Sequence, residues 1–158
     1  MTNVSLIKAI PSSTLLIILT VYILSILTIY QIASATSDVA QLDKNALSLL
    51  GSGRYDEANS VFDQALAIDP NDSIALHGKA TALFYLGRYN ESNSLSDKAL
   101  AINPNDIDAL DNKAAALNSL GRYNESITFY DKALAINPND TAALDGKAAA
   151  LNASKGTK

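Results

Sequence analysis

His77 is the only histidine in this chain of 158 residues, and no cysteine accompanies it. An imidazole that titrates near neutral pH is the first candidate for metal ligation or proton transfer. At 34 residues before it, and at 34 and 68 after it, stand Asp43, Asp111 and Asp145. A His/Asp row of this kind suggests a metal site. Geometry opposes that reading for residues in register, because packed helices lie about 8–10 Å apart while ligands must all come within about 2.0–2.2 Å of one ion. There is no Gly-rich phosphate loop and no serine in a nucleophile-elbow context. The inventory therefore predicts a protein that is not an enzyme, with no cofactor and no metal, in which His77 is a half-exposed groove residue.

The 34-residue spacing extends far beyond these four positions. Gly121–Asp140 reads GRYNESITFYDKALAINPND, Gly87–Asp106 reads GRYNESNSLSDKALAINPND, and Gly53–Asp72 reads GRYDEANSVFDQALAIDPND. Pro70, Pro104 and Pro138 fall in register, as do Leu42, Leu76, Leu110 and Leu144. A fixed period of this size marks a stacked repeat. The units are 39–72, 73–106 and 107–140, followed by a closing helix over 141–153 and a polar tail over 154–158.

Each unit reads as two helices. In the third, Asp106 caps a helix that begins at Ile107, and Leu110, Ala114 and Leu117 recur at helical spacing. Gly121 supplies the left-handed residue that ends it. A second helix follows over about 124–136, with Ile127, Tyr130, Ala133 and Leu134 facing inward, until Pro138 stops it. Seven helices and no strand are expected over 39–153. Ser96 stands where the other units have Phe62 and Tyr130, so the second unit is expected to pack less tightly. Ser92 and Ser126 replace Ala58 and add a hydroxyl that needs a partner. The closing helix is expected to bury Leu144, Ala148 and Leu151 against the last unit. Arg54, Arg88 and Arg122 each have a Glu three residues on, which predicts solvated pairs of little energetic value. Lys79, Lys113 and Lys147 recur in the same way.

These residues carry a family resemblance. The leucine at the head of the first helix, Ala114, Gly121-Arg122-Tyr123, the aromatic at Tyr130, Ala133 and Pro138 resemble the tetratricopeptide repeat. The resemblance covers Val39 to about Ala153. It implies an all-α fold, a right-handed superhelix of helix-turn-helix repeats with three full units and a closing helix, and a concave groove that binds a protein or peptide. In that family the groove is lined by the second, fifth, ninth and twelfth residues of each first helix, which share one helical face. Carried over, these are Ile74, His77, Thr81 and Phe84, then Asp108, Asp111, Ala115 and Asn118, with Asp43 before them and Asp145 after them. The basic clamp with which some members hold a C-terminal carboxylate is not matched, because Asp43, His77 and Asp111 occupy its places. An acidic groove with an apolar end at Ile74 and Phe84 implies a partner with basic residues beside an apolar anchor.

Ahead of the repeats, Leu15 to Ala33 is about 19 residues without a charge, long enough for one bilayer crossing. One hydrophobic helix over 14–33 is expected, after a short cytoplasmic N-terminus over 1–13 in which Pro11 can open the helix. Residues 34–38, SATSD, read as a linker. The competing reading is a signal segment cleaved near Ala35, since Ala33-Ser34-Ala35 fits the small-x-small pattern. Of the 12 basic residues only Lys8 precedes the segment, and all 16 acidic residues follow it. The positive-inside rule then places the repeats outside the cytoplasm. Thr20, Ser25, Thr28 and Gln31 fall on one side of this helix, either facing a partner helix or bonding their own helix carbonyls. Six Asn-x-Ser/Thr triplets, at Asn3, Asn71, Asn90, Asn124, Asn139 and Asn152, are open to glycosylation if the chain is exported. The acidic balance argues against nucleic acid. The expectation is a membrane-anchored, outward-facing scaffold. A self-assembling homo-oligomer at the cell surface, or the same domain secreted, is the alternative.

Overall fold

The computed structural model describes residues 11–156 of the chain. Lys8, the Asn3 triplet and the last two residues of the tail lie outside the described residues. The chain divides into two units, 1–38 and 39–158, with the boundary where the repeats begin.

Helix α1 is Ser12–Gly51, so its first part belongs to the N-terminal unit and its last part to the repeats. Residues 34–38 are helical rather than an irregular linker. The reason is that neither Gly nor Pro interrupts 12–50, and the Thr36 hydroxyl donates back to the Ala33 carbonyl at 2.9 Å. Small polar residues do not by themselves stop a helix. Within the N-terminal unit, the large apolar side chains from Leu15 to Ile32 are all exposed. This helix is long and apolar enough to cross a membrane. Its hydroxyls turn inward on their own backbone: Thr20 donates to the Ile17 carbonyl at 2.8 Å, Ser25 to that of Tyr22 at 2.7 Å and Thr28 to that of Ser25 at 2.8 Å.

The repeat unit continues with α2 Tyr55–Ile68, α3 Ser73–Tyr85, α4 Tyr89–Ile102, α5 Ile107–Ser119, α6 Tyr123–Ile136 and α7 Thr141–Gly156. Seven helices and no strand are found among the described residues. Gly53, Gly87 and Gly121 each have φ of +75°. The following Arg88 and Arg122 N–H groups donate at 2.9 Å to the carbonyls of Leu83 and Leu117, five residues back. This closure satisfies carbonyls that the helix end would leave open. At the opposite end of the unit, Asp72, Asp106 and Asp140 cap α3, α5 and α7. The Asp72 carboxylate accepts from the N–H of Ile74, and that of Asp106 from the N–H of Ala109. The carboxylate of Asp140 accepts from the N–H of Ala142.

Side chains one junction apart fit by volume. A Cβ on Gly78 would sit 2.3 Å from the Phe62 ring, and a Cβ on Gly146 2.3 Å from that of Tyr130. At the equivalent places of the middle junction stand Ser96 and Asn112. This junction is closed to solvent. Ser96 is fully buried and donates to the Ser92 carbonyl at 3.0 Å. Without a ring opposite, a side chain fits where the other junctions require glycine, and Asn112 spans to α3. The hydroxyls of Ser92 and Ser126 find partners in the carbonyls of Ala80 and Ala114, both at 2.8 Å. Lys79, Lys113 and Lys147 pair with Asp63, Asp97 and Asp131 of the preceding helix.

The closing helix departs from expectation. Ala143 and Ala150 are the buried residues of α7, while Leu144, Ala148 and Leu151 are exposed. Their equivalents Leu110 and Leu117 are buried, where a second helix follows in the same unit. Among the described residues no second helix packs on α7, and its leucines are open.

Candidate binding groove

The first helices of successive units are α3, α5 and α7, preceded by the end of α1. Neighbours among them pack together, α3 on α5 and α5 on α7. The fifth residue of each therefore approaches the capping residue that begins the next, 29 positions later. Asp43 meets Asp72, His77 meets Asp106, and Asp111 meets Asp140. This relation is the main feature that the in-register reading missed.

Asp43 is buried, and one of its carboxylate oxygens has no hydrogen-bond partner. Burial, and then a hydrogen bond and repulsion from Asp72, push its carboxyl up to about 6. Asp111 is half-buried, with its Oδ1 likewise unpartnered. Burial, with the charges of Asp140 and Asp108, pushes it up to about 7. Tyr130 is pushed up to about 12 by burial and by the charge of Asp111. Carboxyls crowded out of water resist ionisation unless a cation arrives. Among the described residues none does so: the lysine and arginine ion pairs there join Glu57, Glu91, Glu125, Asp63, Asp97 and Asp131.

The remaining expected lining residues take separate places. Thr81 is half-buried and bonded to Asn112 at 2.9 Å. Ala115 and Asn118 are half-buried on α5, whereas Asp108 and Asp145 are exposed. Ile74 is exposed and Phe84 half-buried. Ten residues of helix separate these two, about 15 Å along α3, so they do not make one apolar end. Phe84 instead joins aromatics that the sequence reading did not single out. Its ring lies 5.6 Å from Tyr85 and 5.4 Å from Tyr89, and Tyr85 stacks on Tyr55 at 4.7 Å.

Antiparallel helix pairs stacked in register, with first helices lining one face, define a helical repeat solenoid. Two family models, both described as tetratricopeptide repeat, match residues 49–95 and 108–140, together about half of the chain. The chain belongs to the tetratricopeptide repeat family. Among solved structures, it is similar to the first tetratricopeptide domain of human RPAP3, with 23% identity and TM-score 0.72, over 75% of this chain and 94% of that one. It is also similar to the second such domain of human RPAP3, in complex with the HSP70 peptide SGPTIEEVD. That match has 16% identity and TM-score 0.69, over 74% of this chain and 98% of that one. A mutant O-GlcNAc transferase of Thermobaculum terrenum matches with 25% identity and TM-score 0.72, over 74% of this chain and 22% of that one. No curated protein matches the chain.

Proposed function

We propose that the chain is a membrane-anchored scaffold whose repeats face away from the cytoplasm and hold a protein or peptide segment in the concave groove. It acts by binding and performs no catalysis. The observation that carries this reading is the row of carboxyls along the groove that no lysine or arginine of the described ion pairs neutralises. A peptide-bound structure in the same fold supports use of the groove. Its peptide, however, ends in EEVD, and a carboxylate-rich tail would be repelled by Asp43, Asp111 and Asp145. The fitting partner here has the opposite sign, with Lys or Arg beside an aromatic or aliphatic residue that seats near Phe84. Exposed ion pairs are individually weak, so the charge should act mainly on association rate and salt sensitivity.

The test uses the full-length chain in detergent and two fluorescent peptides of equal length, one basic with a Phe, one ending in EEVD. The basic peptide should bind, and Asp111→Asn with Asp145→Asn should weaken it more at low salt than at high salt. Equal binding of both peptides, or no change in salt dependence, would refute the acidic-groove reading. Orientation is tested by adding protease to intact cells, which should remove the repeats. Protection until lysis would overturn it.

A second reading rests on α7, where Leu144 and Leu151 are 46% and 38% exposed. Self-association through this open end would make the chain a structural oligomer at the membrane or, after cleavage near Ala35, outside the cell. Sedimentation in detergent distinguishes the two, because the scaffold reading allows a monomer and Leu144→Lys would dissociate the oligomer.

A further inference from the structure

We propose that His77, Asp106 and Asp108 form a site for one divalent transition-metal ion, with Zn²⁺ as its representative. One ligand atom from each residue lies within 4.8 Å of the others. They come from consecutive repeats: His77 from α3, Asp106 as the cap of α5 and Asp108 from its first turn. The His77 Nδ1 to Asp108 Oδ2 separation is 3.5 Å. Two ligands at ~2.1 Å from a tetrahedral zinc stand about 3.4 Å apart, so this pair already spans one edge of the coordination shell. The argument against a metal from 34-residue spacing holds for residues in register. It does not reach residues 29 apart, which the stacking brings face to face.

An independent observation comes from the imidazole itself. His77 Nδ1 is shut off from solvent and has no hydrogen-bond partner, although buried polar atoms are normally satisfied. In the neutral tautomer protonated on Nε2, Nδ1 carries the lone pair that a metal takes, and Nδ1 is the atom that approaches Asp108. The helix around it is held in place across the junction. The His77 carbonyl accepts from the Asn112 amide at 3.0 Å and from the Thr81 hydroxyl at 3.0 Å. Asp106 uses Oδ1 for the Ala109 N–H, at 3.1 Å, and its second oxygen takes no part in that bond.

Charge selects the ligand further. Two carboxylates balance a dication, whereas a protonated His77 would leave one negative charge over, beside Asp111. No lysine or arginine among the described ion pairs reaches these three residues. The flanking junctions, Asp43 with Asp72 and Asp111 with Asp140, offer only oxygen. A nitrogen ligand favours zinc-like ions over Mg²⁺ and Ca²⁺, so the middle junction alone is set apart for a transition metal.

Because His77 is the sole histidine, its ring resonances in the untagged full-length chain report on this site without ambiguity. Adding ZnCl₂ should shift them saturably at one ion per chain, and a hundredfold excess of Mg²⁺ should not reverse the shift. Calorimetry should show the affinity falling at least tenfold in His77→Gln, Asp108→Asn and Asp106→Asn. Asn is itself a good helix cap, so Asp106→Asn keeps α5 intact. Asp56→Asn, on the exposed first turn of α2, should bind zinc as the native chain does. Two results would overturn the proposal: ring resonances that respond to pH but stay unmoved by a tenfold excess of Zn²⁺, or zinc binding that survives His77→Gln. Both outcomes leave the peptide-binding reading of the groove standing, since that is measured without metal.

Discussion

Where α2 meets α3, and again where α6 meets α7, an aromatic ring lies against a glycine: Phe62 on Gly78 and Tyr130 on Gly146. Where α4 meets α5, the same two places hold Ser96 and Asn112. One junction chemistry is ring on backbone; the other is smaller on one side, larger on the other, and hydrogen-bonded to α3 through the Asn112 amide. Two places that differ together in this way point to an exchange of volume between them, large against small in the outer junctions and small against medium in the middle one. The unit of packing is therefore the junction between repeats rather than the repeat, and the aromatic at one position has meaning only with its partner 16 residues on.

The sharpest way to break this comparison is to mix the two chemistries. Gly78→Asn puts a side chain where the Phe62 ring already is, and overpacking should destabilise the chain by about 3 kcal/mol. Adding Phe62→Ser, which transplants the middle junction, should restore at least half of the loss. Denaturant titration of the two single variants and the double variant measures the coupling, and additive losses would sink the exchange argument. The reverse transplant is milder. Ser96→Phe alone should cost about 2 kcal/mol and Asn112→Gly alone about 1–2 kcal/mol, from lost hydrogen bonds and an exposed backbone. Together they should cost less than the sum of the two.

The polar side of the first junction gives a smaller, pH-dependent effect. Native Asp43 holds its proton up to about pH 6, well above the ordinary carboxyl value, because of burial and then Asp72. The native state thus binds this proton more tightly than the unfolded chain. The resulting stability is complete below about pH 4 and is lost as pH rises through 6. Asp43→Asn should therefore be neutral at pH 4 and stabilising by on the order of 1–2 kcal/mol at pH 8. Thermal unfolding across that range checks it, and a variant that parallels the native curve at every pH would contradict the assignment. The smallest effect belongs to the turns inside the units, which are alike in all three. Arg122→Gln removes an exposed pair with Glu125 at 2.6 Å and should leave the denaturation midpoint unchanged within measurement error, because water screens such a pair; a clear drop in the midpoint would contradict this.

Much of the fold was legible because it is local. Gly53, Gly87 and Gly121, the prolines and the capping aspartates mark helix ends wherever they occur, and a 34-residue period needs no long-range information. The groove was legible only in part. Aligning units compares like positions with like, so His77 was set beside Asp43 and Asp111, which it does not touch. Its neighbours Asp106 and Asp108 belong to other positions in the unit and are found only once the first helices are stacked. A signal was present in the spacing, since an Asp follows each fifth residue by 29. The misread linker has a simpler cause: SATSD is small and polar, but holds nothing that breaks a helix. The closing leucines were misplaced because a pattern that is buried inside the array has no cover at its end.

From α2 to α7 each helix touches the helices beside it, and the first helices α3, α5 and α7 touch across one repeat. No described helix-to-helix contact therefore has to wait for distant parts of the chain to meet. Loops of this length close at little entropic cost, and low contact order goes with rapid folding. A chain that emerges N-terminus first, as from a ribosome, could complete each junction as soon as the next helix appeared. Order of appearance and order of assembly would then be the same.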